Sequence, residues 1–226
     1  DTVAISKRGD VIPAVESVVE KNEDGNTTWV MPAVCPSCGT ELVKNGAHHF
    51  CPNYDCPMQA KGRISFFAAK GQMDIEGLGP ETVTYLYDNG YVRSIEDLFD
   101  FDFSILNGLH GFGDKKVQSL SASMAATRKT PFRQVLTALG LPEFGRKAVD
   151  CLCSGGLDTM DKILDVADRD DVDSLMKIDQ IGEKSARLLI DGLNSLHMRS
   201  LIAKLRASGL QMEDSKDAEG LSQIFA

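Results

Sequence analysis

Hydrophobic and polar positions alternate at the start of the chain. Val3 and Ile5 alternate with polar neighbours, and residues 11–19 are rich in β-branched side chains, a pattern that indicates strands. Gly9 and Asp10 offer a turn between the two segments. Because two strands cannot fold alone, we expect this pair to belong to a β-domain whose other strands lie upstream.

From Gly62 onward the hydrophobic spacing becomes helical. Short helical patterns are bounded by glycine, asparagine, serine and aspartate, the residues that commonly begin and end helices. Pro131 suits the first turn of a helix over residues 131–139, and a longer helix over residues 195–208 is expected to end at Gly209. The pattern therefore predicts a mainly α-helical protein with a small β-segment at its start.

One short motif occurs four times in the helical region, each time leading into a helical pattern. Its final glycines are separated by 34, 32 and 37 residues, and near-regular spacing of this kind is a signature of repeated structural units. A single copy is equally well explained as a tight corner between helices. Four copies predict helix-hairpin-helix elements, at Ile75–Gly79, Leu109–Gly113, Leu141–Gly145 and Ile178–Gly182.

The chemistry of such a turn lies in its backbone. Glycines let the chain adopt positive φ and let a ligand approach closely, and the amides that begin the following helix favour an anion. A DNA phosphate is the natural anion, and basic side chains after three of the turns would add counter-charge. The predicted DNA-binding positions are Gly77, Gly79, Gly111, Gly113, Lys115, Lys116, Gly145, Arg146, Lys147, Gly182 and Lys184.

The four copies are not identical. The third and fourth have Glu143 and Gln180 in place of the first glycine, and the first is followed by Pro80 and Glu81 with no lysine. We expect these three hairpins to bind phosphate less well or only to pack. Because one hairpin element cannot bury its apolar face alone, the first two copies should form one compact unit and the last two another.

Four cysteines form two close pairs before the helical region. Two residues separate Cys35 from Cys38, four separate Cys51 from Cys56, and twelve separate the two pairs. Zinc prefers four thiolates in a tetrahedron, and a closed shell of four ligands leaves no position for water. The spacing therefore predicts a structural zinc site, whereas the alternative is that these thiols only pack in a core.

Other histidines and cysteines offer alternatives to this ligand set. His48 and His49 lie between the two pairs, and one of them could replace a cysteine ligand. Cys151 and Cys153 stand apart in a predicted helix, where we expect core packing. One tight cluster with two separate cysteines suits a metal site in a reducing compartment better than a disulfide framework.

Composition and charge limit the classes of partner. The 226 residues are 42% hydrophobic, enough for two or three small cores. The sequence has neither an apolar stretch of membrane-spanning length nor a signal-peptide pattern, so we expect a soluble, cytoplasmic protein. The net charge is −9, and only residues 31–70 have a basic excess. DNA contact must therefore come from local basic points and backbone amides rather than from a broad positive field.

The order of these features resembles bacterial NAD-dependent DNA ligases over nearly the whole chain. The most specific parts of the resemblance are Gly9–Pro13 in the strand pair and Asp74–Gly79 after the cysteine cluster. It implies a multi-domain, mainly α-helical fold, in which a tandem helix-hairpin-helix domain follows a small four-cysteine zinc module and the C-terminal strands of an OB-fold β-barrel. The implied domains are the end of the OB-fold at 1–30, the zinc module at 31–62, the helix-hairpin-helix domain at 63–212 and a linker toward a BRCT domain at 213–226.

The resemblance also implies a function. Such ligases seal nicks in duplex DNA during replication and repair: NAD adenylates a lysine, AMP passes to the 5′-phosphate, and the 3′-hydroxyl then attacks. The lysine belongs to a Lys-x-Asp-Gly motif that does not occur in this sequence. NAD and magnesium would therefore bind outside this chain, which would carry no catalytic residue and be inactive alone.

The role implied for this chain is to grip nicked double-stranded DNA through phosphate and minor-groove contacts without reading its sequence. Lys7 and Arg8 in the strand pair would be among the contacts. The implied protein is a monomer without a membrane partner, located in the bacterial cytoplasm and associated with the nucleoid.

Two other interpretations stay open. A non-enzymatic zinc and hairpin adaptor of another DNA-repair protein would share the hairpins but not the strand pair directly before the cysteine cluster. A topoisomerase-like zinc ribbon joined to protein-binding helices gives no reason for repeated glycine turns. A Lys-x-Asp-Gly motif upstream in the same reading frame would favour the ligase.

Overall fold

The structure, a computed structural model, describes residues 1–9, 11–22 and 29–214. The chain divides into two compact units, Asp1–Pro52 and Asn53–Ala226. Asp10 of the predicted turn and the predicted linker from residue 215 onward lie outside the described residues.

An antiparallel strand pair begins the first unit. Strand β1, Thr2–Arg8, pairs with β2, Ile12–Glu20, and Gly9 has a φ of +60° where the chain turns. Both predicted strands are therefore confirmed. Most of their β-branched side chains are exposed. In the part of the chain that the structure describes, this sheet contains these two strands, so the assignment of residues 1–30 to an OB-fold stays a prediction.

A second hairpin lies between the two cysteine pairs. Strand β3, Val43–Asn45, pairs antiparallel with β4, His48–Phe50, and Gly46 has a φ of +61°. The two-residue loop is Gly46 and Ala47, because Asn45 already pairs with His48, and a glycine at its first position suits a tight turn that needs positive φ there. The hairpin reverses the chain within the twelve-residue loop, and this reversal brings the two ends of the loop together.

The second unit is helical. None of the helices in the described residues is long and apolar enough to cross a membrane. Short 3₁₀ turns occur at Glu96–Phe99, Phe103–Leu106 and Thr127–Lys129. The α-helices are α1 Pro57–Ala68, α2 Pro80–Asp88, α3 Asp114–Ala126, α4 Phe132–Ala138, α5 Arg146–Ser154, α6 Met160–Asp168, α7 Val172–Met176, α8 Glu183–Asn194 and α9 Leu196–Ala207.

The helix boundaries follow the local capping chemistry. Helix α4 is one residue shorter at each end than predicted, and Pro131 is the residue just before it. Helix α9 begins after Ser195, whose hydroxyl accepts a hydrogen bond from the Met198 amide at 3.3 Å, and Gly209 after it has a φ of +84°. Both predicted helices are confirmed. The predicted domain boundary between residues 62 and 63 falls inside α1.

A hydrophobic core joins the helices of the second unit. Within each hairpin element the segments before and after the turn pack together: α1 with α2, the turn at Phe103–Leu106 with α3, α4 with α5, and α7 with α8. Phe67, Leu120 and Phe132 are at most 1% exposed. Burying a side chain of this size stabilises the fold by about 1.5–3 kcal/mol, so packing holds the four turns in place.

Candidate metal centre and nucleic-acid interface

The structure brings the four predicted cysteine ligands together. The sulfur atoms of Cys35, Cys38, Cys51 and Cys56 all lie within 4.8 Å of one another, and the Cys38 and Cys51 Sγ atoms are 3.5 Å apart. Zinc–sulfur bonds of about 2.3 Å in a tetrahedron separate the sulfurs by about 3.8 Å. The cluster therefore fits one zinc ion, and among the described residues neither histidine of the loop belongs to it.

Local turns position the two cysteine pairs. In the first pair, the Cys35 amide donates to the Thr40 carbonyl at 2.7 Å and the Gly39 amide donates to the Cys35 carbonyl at 2.8 Å. In the second pair, Cys56 is the residue that precedes α1, and its carbonyl accepts the first helical hydrogen bond. Hydrogen bonding to the Thr40 side chain, then to its backbone, lowers the pKa of the Cys38 thiol to about 6. A low thiol pKa favours the thiolate that a metal requires.

The remaining two cysteines lie in α5, away from the cluster. Cys153 is buried in the core, and this burial raises the pKa of its thiol to about 11, so it stays protonated and packs as a small hydrophobic residue. Cys151 is half-buried. The predicted packing role is confirmed for Cys153.

The four hairpin turns share one backbone conformation. In each, the fourth residue of the motif donates its amide hydrogen to the carbonyl of the first, at 2.9–3.2 Å. The third residue has a left-handed φ in every copy, the combination that defines a type II turn. These residues are Gly77 at +85°, Gly111 at +83°, Glu143 at +69° and Gln180 at +64°. Replacing the first glycine has therefore not changed the turn.

The final glycine of each motif caps a helix without covering it. Its carbonyl accepts the first helical hydrogen bond, and its backbone is extended. Within the described residues, no side chain caps these four helix starts, and a Cβ atom added at any of the four glycines would meet nothing within 4 Å. The space beside these glycines is therefore open, so an anion can approach the amides of the first helical turn, of which α2 has one fewer because Pro80 lacks an N–H. The glycines are Gly79, Gly113, Gly145 and Gly182.

This geometry corrects one part of the sequence argument. The prediction treated both glycines of the motif as residues that need φ freedom. Gly113 has a φ of −76°, which any residue adopts, whereas Gly111 has the positive φ. The first position therefore shapes the turn, and the second gives a ligand access to the helix start.

The copies associate in pairs, as predicted. In the first pair, a Cβ atom on Gly77 would lie 3.1 Å from the Leu120 side chain of α3, and the rings of Tyr85 and Phe112 are 5.0 Å apart. The second pair has a corresponding contact, because a Cβ atom on Gly192 of α8 would lie 2.8 Å from Leu141. The two hairpins of each pair thus pack against each other and form one compact unit.

The predicted basic residues differ in their surroundings. Lys115, Arg146 and Lys147 are exposed in the first turns of α3 and α5. The Lys116 ammonium folds back onto its own hairpin, 3.3 Å from the Gly111 carbonyl and 4.3 Å from the centre of a phenylalanine ring. The first two hairpins therefore have Lys115 as a solvent-facing counter-charge and Lys116 as a support for the turn.

Two other predicted contacts are already in ion pairs. Lys184 in α8 lies 3.3 Å from the Glu143 carboxylate, and Arg8 in the strand pair lies 3.1 Å from Glu16. Hydrogen bonding to Arg8, then to Ser6, lowers the pKa of Glu16. Lys7 is exposed beside them.

An aromatic stack in the second unit was missed by the sequence argument. The Tyr54 ring lies parallel to His197 with their centroids 3.6 Å apart, and the Arg63 guanidinium lies 3.7 Å from the Tyr54 centroid. Arg63 also donates to the Tyr54 carbonyl at 2.7 Å. Burial in this stack raises the pKa of Tyr54. The contacts fix the segment just before Cys56 against α1 and α9.

A second missed interaction ties down the end of the helical unit. Arg133 in α4 pairs with Asp214 at 2.7 Å and with Asp150 at 3.2 Å, and Glu213 forms a β-bridge with Thr159. The sequence assigned residues 213 and 214 to the polar linker. Both residues contact the helical unit instead, because Arg133 and Thr159 are their partners. A polar sequence pattern does not reveal such partners.

Comparisons with known proteins agree with this organisation. A family described as the NAD-dependent DNA ligase C4 zinc finger domain matches residues 34–57. A family described as a SAM-like helix-hairpin-helix tandem matches residues 73–123 and 135–195, and each match contains one pair of turns. The chain is 40% identical over 217 residues to a DNA ligase of Borrelia garinii subsp. bavariensis, covering 95% of this chain and 33% of that protein.

Other relatives carry the same name. A DNA ligase of Leptospira interrogans is 37% identical over 229 residues, covering 99% of this chain and 33% of that protein. A DNA ligase of Halorubrum lacusprofundi is 36% identical over 231 residues, covering all of this chain and 32% of that protein. The chain belongs to the NAD-dependent DNA ligase family. It spans about a third of the length of the ligases that it matches.

Proposed function

We propose that this chain grips nicked duplex DNA for a NAD-dependent ligase, and that it does so through the backbone of its four hairpins. The observation that carries this proposal is the repetition of one geometry: four type II turns, each followed by a helix that no side chain of the described residues caps and that has open space beside its capping glycine. A turn that only connected helices would not require the same open helix start four times.

Phosphate is the ligand that fits these helix starts. Uncapped amides and the helix dipole favour an anion, and the absence of a Cβ atom at the capping glycine lets a phosphate approach the backbone closely. Every nucleotide presents the same phosphate, so such contacts position the duplex without reading its sequence. Within each hairpin pair the two turns lie at a fixed distance from each other, so they would contact two phosphates at that distance.

The charge of the chain supports a local grip rather than a long-range one. With a net charge of −9, the chain as a whole repels DNA, and the exposed lysines and arginines beside the turns act only at short range. Arg146 follows its turn directly, with Lys147 next to it, and Lys115 follows its turn after Asp114. Lys7 and Arg8 would extend the grip to the strand pair.

We propose that the four cysteines bind a structural zinc ion. Their sulfur separations fit a tetrahedral shell, and four thiolates leave no coordination position for a substrate. When bound, the ion supplies folding energy to residues that have little core of their own. The proposed zinc module spans residues 31–62, between the end of an OB-fold and a helix-hairpin-helix domain over 63–212.

For the whole protein we propose nick sealing in replication and repair, in the bacterial cytoplasm, through an adenylated intermediate. The adenylated lysine, the NAD site and the magnesium site would lie outside this chain, and the chain alone would be a monomer without ligase activity. Incubation with labelled NAD should leave no AMP covalently attached to this chain. Covalent label on any of its lysines would contradict the division of labour.

The DNA grip is tested by binding. Nicked and intact duplexes of two unrelated sequences would be titrated with the chain at several salt concentrations. We expect equal affinity for the two sequences and a log affinity that falls by about 0.9 for each phosphate neutralised per unit of log salt. A strong preference for one sequence would contradict the proposal and favour the DNA-binding adaptor of another repair protein. No binding at low salt would contradict it and favour helices that bind protein.

A further inference from the structure

The two hairpin pairs differ at one corresponding position. Gly77 and Glu143 are each the left-handed residue of the first turn in their pair. Lys115 and Lys184 are each the second residue of the helix after the second turn. In the second pair the Glu143 carboxylate lies 3.3 Å from the Lys184 ammonium. In the first pair, a glycine at the corresponding position cannot make this contact.

The ion pair between Glu143 and Lys184 is weak enough for another anion to replace the carboxylate. The Lys184 side chain is 81% exposed and the Glu143 side chain 50%, so water screens their attraction and the contact is weak. Lys184 lies in the first turn of α8, beside the open amides that follow Gly182. A DNA phosphate at that helix start and the Glu143 carboxylate would therefore compete for the same ammonium group.

The turn at Glu143 does not depend on the carboxylate of this residue. A φ of +69° is unfavourable for a glutamate and costs a glycine nothing. The turn itself does not need the carboxylate, because Gly77 and Gly111 form the same turn. Gln180, a neutral residue, has the same left-handed backbone at +64°, so the contact with Lys184, and not the backbone strain, supports a role for the carboxylate.

We infer that Glu143 is an internal competitor for phosphate that lowers the DNA affinity of the second hairpin pair. Without DNA it holds Lys184, and a phosphate must displace it before the second pair can close on the duplex. The first pair, which has glycine at this position, binds without that step. This inference rests on the proposed grip of DNA by the hairpins.

The test compares Glu143→Gln with the parent chain in binding to a nicked duplex at several salt concentrations. The substitution keeps the size of the side chain and the φ of the turn while removing the charge. We expect binding at low salt to tighten by about two- to fivefold, the range that an exposed ion pair supplies. The salt slope should change little, because Lys184 meets the phosphate in the bound state of both chains.

A matched control removes a charge from a similar ion pair elsewhere. Asp165 pairs with Arg169 at 2.7 Å on α6, and both side chains are about as exposed as Glu143. Asp165→Asn changes the net charge equally but lies outside the four turns. We expect it to leave the affinity and the salt slope close to those of the parent. An equal gain from both variants would reduce the effect to net charge and overturn the inference.

The double variant shows whether Lys184 mediates the effect. In a Lys184→Gln background, Glu143→Gln should gain little or nothing, because the competed ammonium is absent. A full gain in that background, or no gain in the parent background, would overturn the inference while leaving the DNA grip intact. A parent chain that does not bind nicked duplex at all would overturn both.

Discussion

The cysteine module, residues 31–56, and the helical unit differ in what stabilises them. The module's side chains are mostly exposed, including Val43 and Phe50 of its hairpin, and its buried residues are chiefly Cys35 and Cys56. The helical unit buries a continuous set of leucine, isoleucine and phenylalanine side chains. A segment with so little core requires another source of folding energy, whereas the helical unit obtains its energy from packing. Metal loss and core substitution should therefore damage different parts of the molecule.

The largest effect is expected from removing a zinc ligand. Cys51→Ser opens the shell, and because structural zinc contributes about 10–16 kcal/mol of apparent binding energy in small modules, residues 31–56 should lose their fixed structure. The helical unit should keep its helix content. Zinc content by elemental analysis and circular dichroism would check this. Retention of one zinc per chain in the variant, or loss of most of the helix signal, would contradict the idea that the two regions are stabilised independently.

A core substitution should have the opposite pattern. Phe132 is 1% exposed in α4, and Phe132→Ala should cost about 3–5 kcal/mol through lost burial and the cavity that remains. Chemical denaturation followed by circular dichroism would report the loss, while zinc content should stay at one per chain. Unchanged stability would show that α4 contributes little to the core.

Two substitutions beside the second turn separate backbone from side-chain contacts with DNA. Gly113→Val places a branched side chain on the open helix start at an ordinary φ of −76°, so the chain should fold and lose a phosphate contact. Affinity should fall about tenfold or more, since hydrogen bonds to charged groups contribute about 1.5–3 kcal/mol. Lys115→Ala removes an exposed charge and should cost less than about fivefold. Equal affinity of Gly113→Val and the parent chain, measured on nicked duplex, would make the turns simple helix corners.

The smallest effect concerns thiol chemistry in the helical unit. Because burial raises the pKa of Cys153 to about 11, its reactive thiolate is scarce below that pH, and it should react with iodoacetamide more slowly than the half-buried Cys151. Mass spectrometry of the zinc-loaded chain at pH 8 would rank the two sites. Faster labelling of Cys153 would show that the core around α5 opens readily.

The predictable parts of this molecule are those encoded by local spacing. Cysteine separations predicted the cluster, and four recurring turns predicted the helical hairpins and their pairing. The short hairpin also has a local signal, Gly46 at the start of its two-residue loop. Local spacing could not predict the φ of Glu143 and Gln180, because the buried residues that follow them, Phe144 and Ile181, anchor the turn.

Contacts between residues that are far apart in the chain also could not be predicted from the sequence. The stack of Tyr54 on His197 and the ion pair of Glu143 with Lys184 join residues from different elements. Each partner has many exposed equivalents in the sequence, and only the packing of the helices selects the pair. The contact of Asp214, a residue of the predicted linker, with Arg133 was not predictable for the same reason.

The central claim, that backbone amides at the hairpin turns contact DNA phosphates, is tested most directly by amide chemical shifts. The ¹⁵N-labelled, zinc-loaded chain would be titrated with a short nicked duplex and followed by NMR. We expect the largest shifts at the turns and in the first turns of α2, α3, α5 and α8, with the first pair saturating at lower DNA concentration. Shifts concentrated elsewhere in the chain, with the hairpin amides unmoved, would contradict the central claim.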